Sequence, residues 1–115
     1  DESLSDFESA EKIIQKQSAD VFVIKPMVTG SFSACKSIVD LVKSENKRSI
    51  ITSSLEGPIG LLGCIHFTAA LSINEACGLS TNCFYEKSKF QNFNNKNGII
   101  EILPESGLGI NFEFS

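Results

Sequence analysis

The 115-residue chain lacks several features that mark common functional classes. Its 14 acidic residues outnumber its 10 lysines and arginines, so there is no basic stripe to meet the phosphates of a nucleic acid. It has one histidine, and its four cysteines form no C-x-x-C pair, which argues against a structural zinc site. We therefore expect no nucleic-acid partner, no structural zinc and reduced thiols in a cytoplasmic protein.

A long hydrophobic run and a secretory leader are also missing. No basic segment precedes an apolar stretch near the first residues, so no signal peptide is visible. The most apolar segment, Ile59 to Leu71, is shorter than a membrane span and contains Gly60, Gly63 and His66. We expect this segment to form a buried helix, and we expect no membrane association.

Hydrophobic periodicity predicts alternating helices and strands in the first part of the chain. Three short strands are predicted, at Val21–Ile24, Ser49–Thr52 and Cys77–Thr81. A helix precedes the first strand, with Ser5 and Glu8 in a capping-box pattern. Helices also follow the first two strands, beginning at Ser31 or Ser33 and at Gly57, which proline follows. The last of these helices is apolar nearly all round, so we expect it to be the more buried of the two.

The candidate strand ends recur at a constant interval. Each predicted βα unit has one such position, at Asp1, Lys25, Thr52 or Gly78, and successive positions are about 25 residues apart. Repeated units of this length with apolar strands predict parallel strands joined by helical crossovers. In such sheets the ligand site lies at the carboxyl ends of the strands, which is where all four residues would stand.

The pattern changes after Phe84. A polar, turn-rich stretch at residues 91–98 precedes a predicted strand at Ile99–Ile102, and a second alternating strand is predicted at Asn111–Phe114. Two strands are not stable alone, so this tail must dock on something else. We therefore divide the chain into an α/β part, residues 1–83, and a tail, residues 84–115.

Lys25 ends an apolar strand, where an unpaired ammonium is expensive to bury. It either reaches solvent at the strand end or uses its charge in a pocket. Pro26 fixes the next backbone step and so the direction in which the chain leaves the strand. Asp1 stands at the equivalent point of the preceding unit, where its carboxylate could bind a hard cation such as Mg²⁺.

Four segments carry a resemblance to a known family. The chain resembles the C-terminal part of the enolase-superfamily barrel in four segments: DES at residues 1–3, VIKPMVTGS at 23–31, ITSSLEGPIGL at 51–61 and GL-T at 78–81. The similarity is to its muconate-lactonizing branch, and most closely to the o-succinylbenzoate synthases. The tail NGIIEILPESGLGINF resembles the closing segment of that branch, which returns to an N-terminal capping domain.

The resemblance implies a fold and a set of site residues. The fold would be about three βα units of a modified (β/α)₈ TIM-type barrel, completed by a missing N-terminal part and capping domain. Lys25 would be the catalytic base, and Asp1 the third of three carboxylates that hold Mg²⁺. Thr52 and Gly78 would line the pocket for a substrate carboxylate, next to Pro26. A second lysine of the family's site is absent from this chain.

The implied reaction is the Mg²⁺-dependent dehydration of 2-succinyl-6-hydroxy-2,4-cyclohexadiene-1-carboxylate in menaquinone and phylloquinone biosynthesis. The chemistry suits the residue types, because a divalent cation stabilises charge on a carboxylate and a desolvated lysine can act as a neutral base. Alternatives are a cycloisomerase, an N-acylamino acid racemase or a dipeptide epimerase of the same branch, or a non-catalytic half-barrel that serves as an interaction module. The chain by itself is expected to be inactive.

Overall fold

The computed structural model describes residues 1–85, 95–102 and 104–109. The elements run in the order α1 (Phe7–Gln15), β1 (Val21–Ile24), α2 (Pro26–Thr29), α3 (Phe32–Ser44), β2 (Arg48–Ile51), α4 (Pro58–Ala70), a 3₁₀ helix (Thr81–Phe84), β3 (Asn95–Lys96) and β4 (Ile99–Ile100). Within these ranges no helix is long and apolar enough to cross a bilayer.

The two principal strands are parallel, as predicted. β1 pairs with β2 so that Val21 lies opposite Arg48 and Ile24 opposite Ile51. The first strand has its predicted bounds, and the second begins and ends one residue earlier than predicted. Their alternation with helices confirms an α/β fold.

The predicted third strand, at Cys77–Thr81, is reduced to a single parallel bridge between Thr52 and Gly78. The Gly78 amide donates to the Ile51 carbonyl at 3.0 Å, and the Ser53 amide donates to the Gly78 carbonyl at 3.0 Å. This segment lies on the side of β2 that faces away from β1. The three chain segments therefore keep the predicted parallel order, although only two of them are strands.

The core lies between one face of the sheet and the helices. Its buried apolar side chains are Leu4, Ala10, Phe22, Ile24, Cys35, Ile38, Val39, Val42, Ile51, Leu61, Cys64, Ile65 and Leu79. In β1 the side chains of Phe22 and Ile24 are buried, whereas Val21 and Val23 are half-buried. Four consecutive apolar residues would suit a strand covered on both faces, but β1 is covered on one face, because in the described residues the helices pack on that face alone.

Helix α4 begins at the predicted proline but is not the more buried helix. It has four buried residues, the same number as α3, and Ile59 on its outer side is 54% exposed. His66 is half-buried. The reason is geometric, because a helix that packs on one side of a sheet covers one stripe however apolar its other positions are.

The three long helices end in the same way. After α1, α3 and α4 the chain passes through a left-handed residue, at Gln17, Asn46 and Ser72 respectively. In each case the amide of this left-handed residue and the amide of the residue after it donate back to carbonyls of the last turn, at 2.9–3.4 Å, which is the Schellman arrangement. These ends reverse the chain sharply and so set where each strand, or the following loop, begins.

The capping box of α1 is formed by residues other than those predicted. Asp6 is the N-cap, and its Oδ1 accepts the Ser9 amide at 2.8 Å, while Ser9 Oγ accepts the Asp6 amide at 3.0 Å. Glu8 instead pairs with Lys12 one turn along the helix. The prediction at Ser5 and Glu8 is wrong by one residue, because two adjacent residues can cap and the helix starts after the second.

The tail contains a short hairpin. β3 and β4 are antiparallel and joined by Asn97 and Gly98, both with positive φ (54° and 79°), as a tight two-residue turn requires. The predicted strand at Ile99–Ile102 is confirmed over Ile99–Ile100, and Ile100 packs against the core. The predicted strand at Asn111–Phe114 lies outside the described residues.

Candidate active site

Polar residues meet at one edge of the sheet. Lys25 directly follows Ile24 at the end of β1, and Thr52 directly follows Ile51 at the end of β2. The bridge between Thr52 and Gly78 brings the third segment to the same edge. Since parallel strands end on the same side, three of the sequence-predicted site residues share this edge.

Lys25 is shielded from solvent and lies against carboxylates. Its side chain is 24% exposed, and its Nζ is 2.8 Å from Asp1 Oδ1 and 3.8 Å from Glu2 Oε1. Asp1 is the better shielded of the two acids, at 41% exposed against 87% for Glu2. The lysine therefore does not escape to solvent at the strand end. The structure brings the residue predicted as base into contact with the residue predicted as metal ligand.

The backbone after β1 fixes the position of Lys25. Lys25 is the N-cap of α2, with extended geometry (φ −112°, ψ 107°), and its carbonyl accepts the amides of Val28 and Thr29. Pro26 is buried at the first helical position, where its missing N–H costs nothing and its ring fixes φ. Pro26 thus orients the chain around Lys25, and its contact with a substrate stays a prediction.

Thr52 and Gly78 hold the second and third segments together. Thr52 Oγ1 donates to the Gly78 carbonyl at 3.0 Å, and a Cβ on Gly78 would lie 2.3 Å from that same oxygen. A larger residue at position 78 would therefore have to displace the Thr52 side chain. The Thr52 amide donates to the Ile24 carbonyl and the Gly78 amide to the Ile51 carbonyl, each at 3.0 Å. Their substrate-binding role stays a prediction, and their amides are already engaged in the sheet.

Sequence reasoning missed a buried acid beside this edge. Glu56 precedes Gly57, the N-cap of α4, and is 6% exposed. Its Oε2 accepts the Ser54 amide at 2.7 Å. Ser53 is buried too, with Oγ 2.7 Å from Thr81 Oγ1. The available signal was an acid placed two residues ahead of a helix-starting proline, which is too early for a first-turn position.

The buried thiols are packing groups. Burial raises the pKa of Cys64 to about 12, with smaller contributions from the Glu56 carboxylate and from Cys35. Burial also raises the pKa of Cys35, whose Sγ lies 2.7 Å from Thr29 Oγ1. All four cysteines are free, as expected. The two buried thiols stay protonated near neutral pH and so offer neither a nucleophile nor a metal ligand.

The Asp1 carboxylate could serve as one of several ligands of a hard cation. Mg²⁺ favours carboxylate and water oxygens, and the partly exposed carboxylate of Asp1 offers this chemistry beside Glu2. Within residues 1–85, 95–102 and 104–109, no three His, Cys, Asp or Glu side chains converge as a metal site would need. The residues present thus fit a single carboxylate ligand and leave the rest of the coordination shell to other groups.

Parallel strands alternating with helices define an α/β domain, and the shielded lysine–aspartate pair lies at the carboxyl ends of its strands, where such domains commonly bind ligands. A family model described as enolase C-terminal domain-like matches residues 1–114. The chain belongs to this family, which is one of Mg²⁺-dependent enzymes of the lyase and racemase kinds. A comparison with curated proteins finds no match. The enolase-superfamily resemblance is therefore confirmed at the level of the superfamily.

Proposed function

We propose that this chain carries the catalytic base of an o-succinylbenzoate synthase, which dehydrates 2-succinyl-6-hydroxy-2,4-cyclohexadiene-1-carboxylate in menaquinone and phylloquinone biosynthesis. The observation that carries the proposal is the shielded Lys25 Nζ, 2.8 Å from the Asp1 carboxylate at the strand ends. Membership of the enolase C-terminal domain-like family supports the general chemistry. The segments around Lys25 and Thr52 favour this branch of the family.

Lys25 acts twice in the proposed reaction. The reaction needs Lys25 as a free amine, so the Asp1 carboxylate would have to be taken up by the metal and no longer paired with the lysine. The amine would then accept the proton alpha to the substrate carboxylate, and the resulting ammonium would donate a proton to the departing hydroxyl, so that water leaves. Mg²⁺, when bound, supplies positive charge next to the substrate carboxylate. Asp1 contributes one oxygen ligand for that ion. The shielding of Lys25 keeps bulk water from competing for the proton.

The proposed enzyme needs more barrel than the described residues form. β1 pairs with β2 along one edge, and its other edge has no strand partner among the described residues. Val21 and Val23 are half-buried on the face away from the core helices. We propose that further strands of a (β/α)₈ barrel pair with this edge, and that an N-terminal capping domain covers the strand ends and receives the tail. The proposed partner at the site is a small-molecule carboxylate.

The test is a lysine substitution in the full-length protein. Lys25→Ala should lower kcat for o-succinylbenzoate formation by about 10²–10⁴-fold, because loss of a general base removes a step of the reaction. Its Mg²⁺ affinity and thermal midpoint should stay close to wild type. Lys36→Ala is the matched control, since Lys36 is exposed on α3 and pairs with Asp40 one turn away.

A Lys25→Ala enzyme that keeps more than about a tenth of wild-type kcat would contradict the assignment of the base. Assays of the wild type with muconate, N-acylamino acids and dipeptides separate the branch members. Faster turnover of one of these than of the cyclohexadiene carboxylate would assign the protein to that activity. No turnover of any of them would favour a non-catalytic interaction module.

A further inference from the structure

The loop after β2 contains a buried carboxylate whose hydrogen bonding is half met. Glu56 Oε2 accepts the Ser54 amide at 2.7 Å. Glu56 Oε1 is also buried, and among the described residues it has no hydrogen-bond partner. Leaving a carboxylate oxygen buried without a partner is costly, so a residue in this position needs a compensating role.

The first turn of α4 is shaped around this side chain. A Cβ on Gly60 would lie 2.8 Å from Glu56 Cβ and 3.2 Å from its Cγ, so no larger residue fits there without displacing the acid. Glycine inside a helix is unfavourable relative to alanine, and Gly60 lacks the positive φ that would otherwise explain it. A requirement to keep the Glu56 side chain in its observed position would explain why glycine stands at residue 60.

The loop between Thr52 and Glu56 is held in a conformation that it would not adopt by itself. Leu55 has φ +63°, a left-handed conformation that a branched apolar residue rarely takes. The Tyr85 hydroxyl donates to the Leu55 carbonyl. On the other side of Leu55, the Glu56 carboxylate holds the Ser54 amide. The loop is therefore fixed from both sides of its strained residue.

This loop starts at the candidate site. Thr52 stands at the strand-end edge with Lys25, and Ser53 is tied through its hydroxyl to Thr81, 2.7 Å away. A shift of the loop would move Ser53 and the end of β2 together. The orientation of this edge thus depends on what holds Ser54 in place.

We propose that Glu56 is a positioning residue: lodged against Gly60, its carboxylate holds the Ser54 amide and so keeps the loop of residues 53–55 in the shape that presents the end of β2 to the substrate. The substrate part of this inference rests on the proposed function. The structural part rests on the contacts of Glu56 alone. Glu56 acts through Ser54 and the loop, and the substrate is bound by other groups at the edge.

The test compares Glu56→Ala, Glu56→Gln and Gly60→Ala in the full-length protein, with Glu11→Ala as the control at an exposed glutamate of α1. The first readout is hydrogen exchange at the Ser54 amide, with the amides of α3 as the internal control of folding. Loss of one charge-assisted hydrogen bond should speed Ser54 exchange about tenfold or more in Glu56→Ala. Gly60→Ala should do the same because its Cβ displaces the acid, whereas Glu56→Gln keeps an acceptor and should stay within about threefold of wild type.

The second readout is steady-state kinetics. KM for the carboxylate substrate should rise about tenfold in Glu56→Ala and Gly60→Ala, more than kcat falls, and Glu56→Gln should restore it. Unchanged Ser54 exchange in both Glu56→Ala and Gly60→Ala overturns the structural role. Faster exchange with unchanged KM overturns the positioning role. If the wild type does not turn over the proposed substrate, the proposed function fails, and Ser54 exchange alone decides whether Glu56 holds the loop.

Discussion

Gly78 and Thr52 pack so closely in the candidate site that the loss of stability on substituting Gly78 can be worked out from the geometry. In Gly78→Ala the new Cβ would lie 2.3 Å from Thr52 Oγ1 and 2.9 Å from Thr52 Cβ. To reach ordinary contact the threonine would have to move by about 1 Å, and overpacking of this kind costs about 1–3 kcal/mol. The move also breaks the hydrogen bond from the Thr52 hydroxyl to the Gly78 carbonyl, worth about 0.5–1.5 kcal/mol. We expect the free energy of unfolding to fall by about 1.5–4.5 kcal/mol.

Urea denaturation of the full-length protein, followed by far-ultraviolet circular dichroism, measures this loss. Gly57→Ala is the control for adding a methyl group, because a Cβ there meets nothing within 4 Å; as alanine is the poorer N-cap, it should cost no more than about 1 kcal/mol. Thr52→Gly removes both clashing atoms, so the double variant Thr52→Gly/Gly78→Ala should show a coupling of at least about 1 kcal/mol. A loss below about 0.5 kcal/mol in Gly78→Ala, or purely additive effects, would refute the packing argument.

Two further predictions concern charge. Asp1→Asn should weaken Mg²⁺ binding by about tenfold or more in titration calorimetry of the full-length protein, since a carboxylate ligand becomes a neutral amide. Glu2→Gln, at the more exposed neighbour, should have a smaller effect. Equal affinities in Asp1→Asn and wild type would remove Asp1 from the metal site. The pKa of Cys64 is raised by burial from 9.0 to about 12, so the unfolded thiol ionises first and the free energy of unfolding should fall as pH rises from 9.0 towards 12. Cys64→Ala should flatten this decline in urea denaturation at several alkaline pH values, and an identical decline in the variant would contradict the assignment.

Elements fixed by local chemistry could be predicted from the sequence. The apolar, β-branched run at Val21–Ile24 gave a strand with its observed bounds, and the Gly57-Pro58 pair gave the start of α4. The third strand could not be predicted in length, because a strand extends only as far as its neighbour offers hydrogen bonds. After the bridge at Gly78 the chain turns into the 3₁₀ helix instead.

The candidate site, too, could be predicted from the sequence only in part. The approach of Lys25 to Asp1 could be anticipated because strand ends recur at a constant interval, and parallel strands bring such ends to one edge. The burial of Glu56 could not, because it depends on the absence of a Cβ at Gly60, one helical turn further along. Polarity alone assigns a glutamate to the surface.

The distribution of cations indicates how a substrate carboxylate would be recognised. In the described residues, Lys47 and Arg48 lie at the amino ends of the strands, where they pair with Asp20 and Glu75. At the carboxyl ends, Lys25 is the cation beside the predicted site, and the proposed reaction uses it as the base.

The amides of Thr52 and Gly78 already donate to carbonyls of the sheet. They cannot bind a substrate carboxylate without breaking those hydrogen bonds. A carboxylate brought to this edge therefore needs positive charge or N–H donors beyond those that the described residues place there. A bound Mg²⁺ and a second lysine across the substrate would supply that charge. Under the proposed function, the chain would provide the base and one metal ligand, and the charge that holds the substrate would come from groups facing it.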